Sequence, residues 1–143
     1  MSGIKRTQAD IAFSKCIRFR AHYSCERCGT QYNEKSTGLE CSHFFGRASW
    51  SIRFHPDNCA SLCTGCHMYL TANPAEHRRW FEDLIGSGRY EILLDLKRDT
   101  KIGKTYRATG GKGDIAKHYR DELKRMIEAR NSGEREVDFE AWQ

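Results

Sequence analysis

Two C-x-x-C pairs, Cys25-Glu26-Arg27-Cys28 and Cys63-Thr64-Gly65-Cys66, have 34 residues between them. Thiolates two positions apart can grip one tetrahedral ion while the backbone N–H groups of the turn point at the sulfurs. Two such turns complete a closed four-cysteine zinc site, the structural kind with no open position for water. A redox pair of the thioredoxin kind would need a single C-x-x-C beside a βαβ pattern, and neither half shows one. Cys16, Cys41 and Cys59 have no matched spacing and read as buried free thiols. Cys41 or Cys59 is the alternative ligand should one of the four not serve.

Between the pairs lie Glu40-Cys41-Ser42-His43-Phe44, then Arg47, Arg53 and His55-Pro56-Asp57-Asn58, with His67 directly after Cys66. His43 is 15 residues past Cys28, Asn58 is 15 past His43, and His67 is 9 past Asn58. Singly, each is an ordinary surface histidine or turn-capping asparagine. In a metal-pinned frame, a hairpin leading into a helix would bring His43 and His67 near one another. Such a pair suits phosphodiester hydrolysis. That reaction needs a base to activate water and a cation to neutralise the developing charge. Imidazole, with an unperturbed pKa near 6.5, is a suitable base at cellular pH. Mg²⁺ or Mn²⁺, held by one or two protein groups and otherwise by water and phosphate oxygens, is a suitable cation.

At these residues the sequence resembles the HNH nucleases of the treble-clef, or ββα-metal, class, and within them the NinG-type recombination nucleases of lambdoid phages. The resemblance rests on CERCG, on ECSHFFGRASWSIRFHPDNCASLCTGCHMYLTANPAEHRRWF and on Gly86, so it covers roughly residues 23–88. It implies an α+β fold: a small zinc-stapled HNH core with a flanking N-terminal helix and C-terminal helices. By the resemblance, His43 is the general base, Asn58 holds the loop and helps orient the base, and His67 is a ligand to the catalytic divalent ion. Cys25, Cys28, Cys63 and Cys66 are the structural zinc set. A DNA substrate, branched as in a Holliday junction or flap, is implied as well. Two symmetric cuts in a four-way junction would favour a homodimer. Two positions depart from the pattern. Many HNH nucleases carry Asp before the first His as a second metal ligand, where this chain has Ser42. The second protein ligand is then open among Glu40, Asp57 and His55. NinG-type proteins tend to carry Asn after the second knuckle, where this chain has His67. The alternative function is a non-catalytic zinc module that binds nucleic acid; a zinc-stapled protein-interaction adaptor is a third reading.

The elements that must position these residues are legible in part. Thr7 with Asp10 reads as a helix start. The helix would run to about His22, with Ala9, Phe13, Cys16 and Ile17 inward and Lys15, Arg18 and Arg20 on the wetter side. Residues 23–70 read as short segments and turns with no long helix. Asn73-Pro74-Ala75-Glu76 predicts a second start, with Asn73 as cap and Glu76 closing the box. Trp80, Phe81, Leu84 and Ile85 form its apolar face, and Gly86 is its stop. A third helix over 89–98 shows Tyr90, Leu93, Leu94 and Lys97 at helical spacing. Residues 100–113 (TKIGKTYRATGGKG) read as a basic, glycine-rich loop. A fourth helix over 114–130 carries Ile115, Tyr119, Leu123, Met126 and Ile127 on one side. The domain reading is an N-terminal helix (1–22), the nuclease core (23–88), a helical appendage (89–131) and an acidic tail (132–143).

With 143 residues, 38% of them hydrophobic, and mean hydropathy −0.75, the chain has a modest core, which makes a structural metal a sensible staple. No run of 18 apolar residues would span a membrane, and the N-terminus lacks the apolar stretch of a signal peptide, so a cytoplasmic site of action, the host cell's for a phage protein, is expected. The net charge of +5 suits a polyanionic partner. Arg47 and Arg53 are the expected phosphate contacts. Arg18, Arg20, Arg78 and Arg79, and the loop lysines and arginine Lys101, Lys104, Arg107 and Lys112, are possible extensions of the footprint. No recognition helix or finger array is evident, so recognition by shape is expected. The last twelve residues hold one basic and four acidic side chains. They could shield a nucleic-acid surface or be merely solvated, and Phe139 and Trp142 hint that they dock.

Overall fold

The computed structural model describes residues 5–110 and 113–143, and within them the chain is α+β. Helix α1 (Gln8–Arg20) is followed by the first cysteine turn. Strand β1 (Leu39–His43) and strand β2 (Cys59–Cys63) then form a two-stranded antiparallel sheet, and α2 (Thr64–Ala72) begins where β2 ends. Helices α3 (Pro74–Ile85), α4 (Ser87–Arg98), α5 (Thr100–Gly110) and α6 (Asp114–Asn131) complete the order. No helix among the described residues is long and apolar enough to cross a membrane.

The start of α1 has a clear local cause. The Thr7 hydroxyl accepts from the Asp10 N–H at 3.2 Å while the Asp10 carboxylate accepts from the Thr7 N–H at 2.7 Å, a reciprocal capping box. Ala9, Phe13, Cys16 and Ile17 point into the core as the periodicity predicts. At Asn73 the expected box is absent. Its side-chain amide donates back to the Tyr69 carbonyl, and Glu76 turns to Tyr69 and Arg27 instead. Pro74 at the first position and Gly86 at the end still bound α3.

The largest departure from the sequence reading is α5, where a loop is expected. A glycine in that run is used for close packing. Gly103 is buried against Ser51, and a Cβ there would lie 3.2 Å from the Ser51 nitrogen. Its lysines and arginine, Lys101, Lys104 and Arg107, are exposed, and Lys112 lies outside the described residues.

Three apolar clusters hold the elements together. The main one joins α1 and α6 through Phe13, Ile17, Ile115, Tyr119 and Met126, with Val137 and Phe139 from the tail. The stretch after residue 89, read as an appendage, therefore supplies a wall of the main core; Ile127 points outward, 39% exposed. A second cluster surrounds the cysteine turns with Leu39, Leu62 and Leu70. The third packs Ile52 against Phe81, Tyr90 and Leu93 of α3 and α4.

One charged contact crosses this core. Arg53, expected at the DNA surface, is only 1% exposed. Its guanidinium reaches the Asp10 carboxylate at 2.6 and 3.2 Å, donates to the Lys5 carbonyl at 3.2 Å and lies 4.3 Å from the Trp50 ring centre. The expectation of Arg53 at the DNA surface does not match this placement: the side chain is buried, and its Nε and Nη2 are taken by Asp10 and the Lys5 carbonyl. Burial alone would raise the Asp10 carboxyl, but hydrogen bonds from Arg53 and Thr7 hold it below its ordinary value. Asp10→Ala strands the arginine as an uncompensated buried charge. It should cost about 3–5 kcal/mol in urea unfolding, part of which Asp10→Ala/Arg53→Met recovers. A loss too small to measure for Asp10→Ala would contradict this placement.

Candidate metal centre and catalytic cleft

The first cysteine turn follows α1 through His22 and Tyr23, both at φ 56. Gly29 closes it at φ 79, a left-handed conformation that glycine adopts without the Cβ penalty, and its N–H bonds the Cys25 carbonyl at 2.8 Å. The second turn is the β2–α2 junction itself, where the Cys63 sulfur accepts the Cys66 N–H at 3.4 Å as helix cap. The ligand atoms of Cys25, Cys28, Cys63 and Cys66 all lie within 4.8 Å of one another.

The surroundings fit a cation. Cys25 accepts the Cys28 N–H at 3.5 Å, and the Arg27 guanidinium lies 3.4 Å from the Cys66 sulfur. Hydrogen bonds from the Thr30 side chain and backbone draw the Cys28 thiol down to about 6. Burial first, and then the neighbouring sulfurs against the pull of Arg27, push Cys66 up to about 12. Four thiols so close cannot all ionise unless a positive ion sits among them. The set suits structural zinc, and Cys41 and Cys59 stand outside it.

His43 ends β1, paired with Cys59 across the sheet. Its Nε2 lies 2.9 Å from the Arg53 carbonyl. A carbonyl only accepts, so Nε2 carries the proton and Nδ1 keeps a free lone pair. Burial, opposed by that hydrogen bond and aided by the charge of Arg47, lowers the His43 pKa to about 4. The imidazole is therefore neutral at cellular pH.

Asn58 is fully buried and ties the loop after β1. Its Oδ1 accepts the Phe45 N–H at 2.9 Å, and its Nδ2 donates to the carbonyls of Phe45 and Ile52 at 2.9 and 3.2 Å. That loop carries Arg53, so Asn58 bears on the carbonyl that holds His43.

His67, on the first turn of α2, has Nδ1 at 2.8 Å from the Glu40 carboxylate. With Nδ1–H donated to Glu40, the Nε2 lone pair is available to a metal, the arrangement in which a carboxylate fixes the tautomer of a ligating histidine. Glu40, His43, Arg47 and His67 line one cleft of about 670 Å³, which Arg6, Arg18, Lys35 and Glu34 also border. Of the three candidates for the second metal ligand, Glu40 alone faces this cleft, but held at Nδ1 it lies across the ring from Nε2 and orients the histidine rather than sharing its ion. His55 and Asp57 line other cavities, where the His55 Nδ1 accepts the Asp57 N–H at 3.0 Å. Ser42 is buried and contributes no ligand atom to the cleft.

Cations gather at the cleft, though not all the expected ones. Arg47 and Arg18 border it; Arg20 instead bonds the carbonyls of Pro56 and Cys59 and pairs with Asp138 of the tail. Arg78 and Arg79 are exposed on α3, away from the cleft lining. Arg6 and Lys35 carried no sequence signal: one precedes α1 and the other precedes β1, and only the fold brings them to one cleft. The tail docks: Phe139 is buried, and the Trp142 N–H donates to the Tyr119 hydroxyl at 2.9 Å. Compared with family models, curated proteins and solved structures, the chain matches none.

The metal centre makes a direct prediction. The purified chain should carry one tightly held zinc measured by elemental analysis, and Cys66→Ser should lose it together with cooperative unfolding, because metal affinity at such a site is folding free energy. A folded, zinc-loaded Cys66→Ser protein would show that another group completes the site.

Proposed function

We propose that this chain is a metal-dependent DNA endonuclease of the HNH type that hydrolyses phosphodiester bonds. The observation that carries the reading is one cleft bordered by a neutral imidazole with a free nitrogen and by a histidine–carboxylate pair suited to a divalent cation. A structural zinc ion at the four cysteines would pin the sheet and α2, and so the spacing of the two histidines.

The chemistry follows from the side chains. His43 Nδ1 accepts a proton from water as its oxygen attacks phosphorus, and the bond from phosphorus to the leaving oxygen breaks. The Arg53 carbonyl, holding Nε2–H, steadies the ring and stabilises the imidazolium that forms. An imidazole with pKa about 4 is a weak base when the cleft is empty. A phosphodiester beside it brings negative charge that raises its proton affinity as substrate binds. His67 Nε2, with the ring oriented by Glu40, would hold Mg²⁺ or Mn²⁺ together with water and phosphate oxygens, and the ion would supply positive charge to the phosphate and the leaving oxygen. Arg6, Arg18, Lys35 and Arg47 attract and place the backbone without reading bases. A wide, cation-bordered cleft without a base-reading helix is compatible with branched recombination intermediates as substrate.

Purified protein incubated with four-way junction, flap and linear DNA should cut only when Mg²⁺ or Mn²⁺ is present. His43→Ala should lower the rate by about 10²–10⁴-fold with zinc content intact. Because kcat/KM reports the free enzyme, it should stay level as pH falls toward 5 and decline only as His43 protonates near 4. Undiminished cutting by His43→Ala would reject the base. Binding without cutting under any metal would leave the non-catalytic zinc module, a reading that the buried Ser42 in place of an acidic ligand favours.

A further inference from the structure

Cys41 and Cys59, unremarkable in the sequence, flank His43 in the sheet. In the register Cys41 pairs with Ser61 and His43 with Cys59, so all three side chains share the face turned to α1. Their ligand atoms lie within 4.8 Å of one another, the second such group among the described residues besides the four-cysteine cluster. Cys59 is 1% exposed, while Cys41 and His43 border the cleft, so the group is walled by protein on one side and open to the cleft on the other.

We propose that Cys41, His43 and Cys59 form a second site for a thiophilic divalent ion, Zn²⁺ above all, and that its occupation silences the cleft by taking the His43 lone pair. Two sulfurs and an imidazole select zinc over Mg²⁺ or Mn²⁺. Tetrahedral bonds of about 2.3 Å to sulfur and 2.0 Å to nitrogen place ligand atoms roughly 3.5–3.8 Å apart, a closure that small side-chain rotations provide. With Nε2 engaged by the Arg53 carbonyl, Nδ1 is the nitrogen left to bind. Three protein ligands leave a fourth position, which faces the cleft. Binding releases the protons of both thiols, and the site lacks a fourth sulfur, so it fills after the four-cysteine centre. The binding site itself is independent of the nuclease reading; the silencing rests on it.

The test uses the full chain already holding one zinc. Dialysis against micromolar excess Zn²⁺ should raise the metal content from one to two per chain. Co²⁺ offered in place of that second ion should give a thiolate-to-cobalt charge-transfer band. Cys41→Ser, a conservative change at a half-buried position, and Cys59→Ala should each stop at one zinc while keeping the native circular dichroism. A wild-type chain that stops at one, variants that still take two, or a second ion without the thiolate band overturns the site. In the DNA-cutting assay with Mg²⁺, added Zn²⁺ should suppress the wild type and spare Cys41→Ser. Suppression of both alike, or wild-type cutting that persists with the second ion bound, overturns the silencing. If no metal supports cutting, the nuclease reading fails while the metal counts still decide the site.

Discussion

Arg53 carries a full positive charge in a place almost without water, and much of the site depends on what that burial demands. A guanidinium taken out of water needs a counter-charge and hydrogen-bond partners. Here Asp10 supplies the charge, Asp10 and the Lys5 carbonyl accept from Nε and Nη2, and the Trp50 ring packs beside the guanidinium carbon. Replacing such a pair with apolar side chains often costs little, so its value lies less in net stability than in fixing one arrangement. Asp10 belongs to the first turn of α1, and Arg53 follows the loop after β1. The ion pair therefore sets where that loop lies against the helix. The main chain of the same residue accepts from His43, so the imidazole inherits its position from a contact on the far side of Arg53.

The sheet is too small to hold this by itself. Two strands of five residues are marginal in water, and each end needs an anchor. At one end the four-cysteine centre joins the β2–α2 junction to the turn after α1. At the other, Asn58 laces the loop and α1 covers the face that carries His43. Helix α6 and the tail brace α1 from behind. The Tyr119 hydroxyl donates to the Phe54 carbonyl, one residue beyond Arg53, and accepts from Trp142. The acidic tail thus acts as packing and as a partner for Arg20, at a distance from the cleft lining.

What could be read in advance follows the range over which each signal acts. The capping box at Thr7, the apolar stripe of α1, the bounds of α3 and the pairing of the two cysteine turns are local patterns, and residues a few positions apart carry them. Arg53 shows the limit. An arginine near a histidine looks like a phosphate contact until α1 is seen to place Asp10 beside it, 43 positions earlier. Cys41 and Cys59 are similar: their nearness to His43 is a property of strand register, which spacing along the chain does not reveal. Across 100–113 the glycines suggest a breaker, whereas Gly103 serves a close contact inside α5. Placing Glu40 at the cleft, and His55 and Asp57 away from it, likewise required knowing which way the 3₁₀ turn at Pro56–Asn58 faces.

The central claim is that the base and the catalytic cation address the same cleft. Titration of Mn²⁺ into the zinc-loaded protein, followed by the imidazole nitrogen resonances, tests this most directly. Paramagnetic broadening should strike His67 first and His43 with it, while His55 and His118, which line a separate acidic cavity, stay sharp. Broadening of His55 and His118 ahead of an unaffected His43 and His67 would put the hard cation elsewhere and contradict the account.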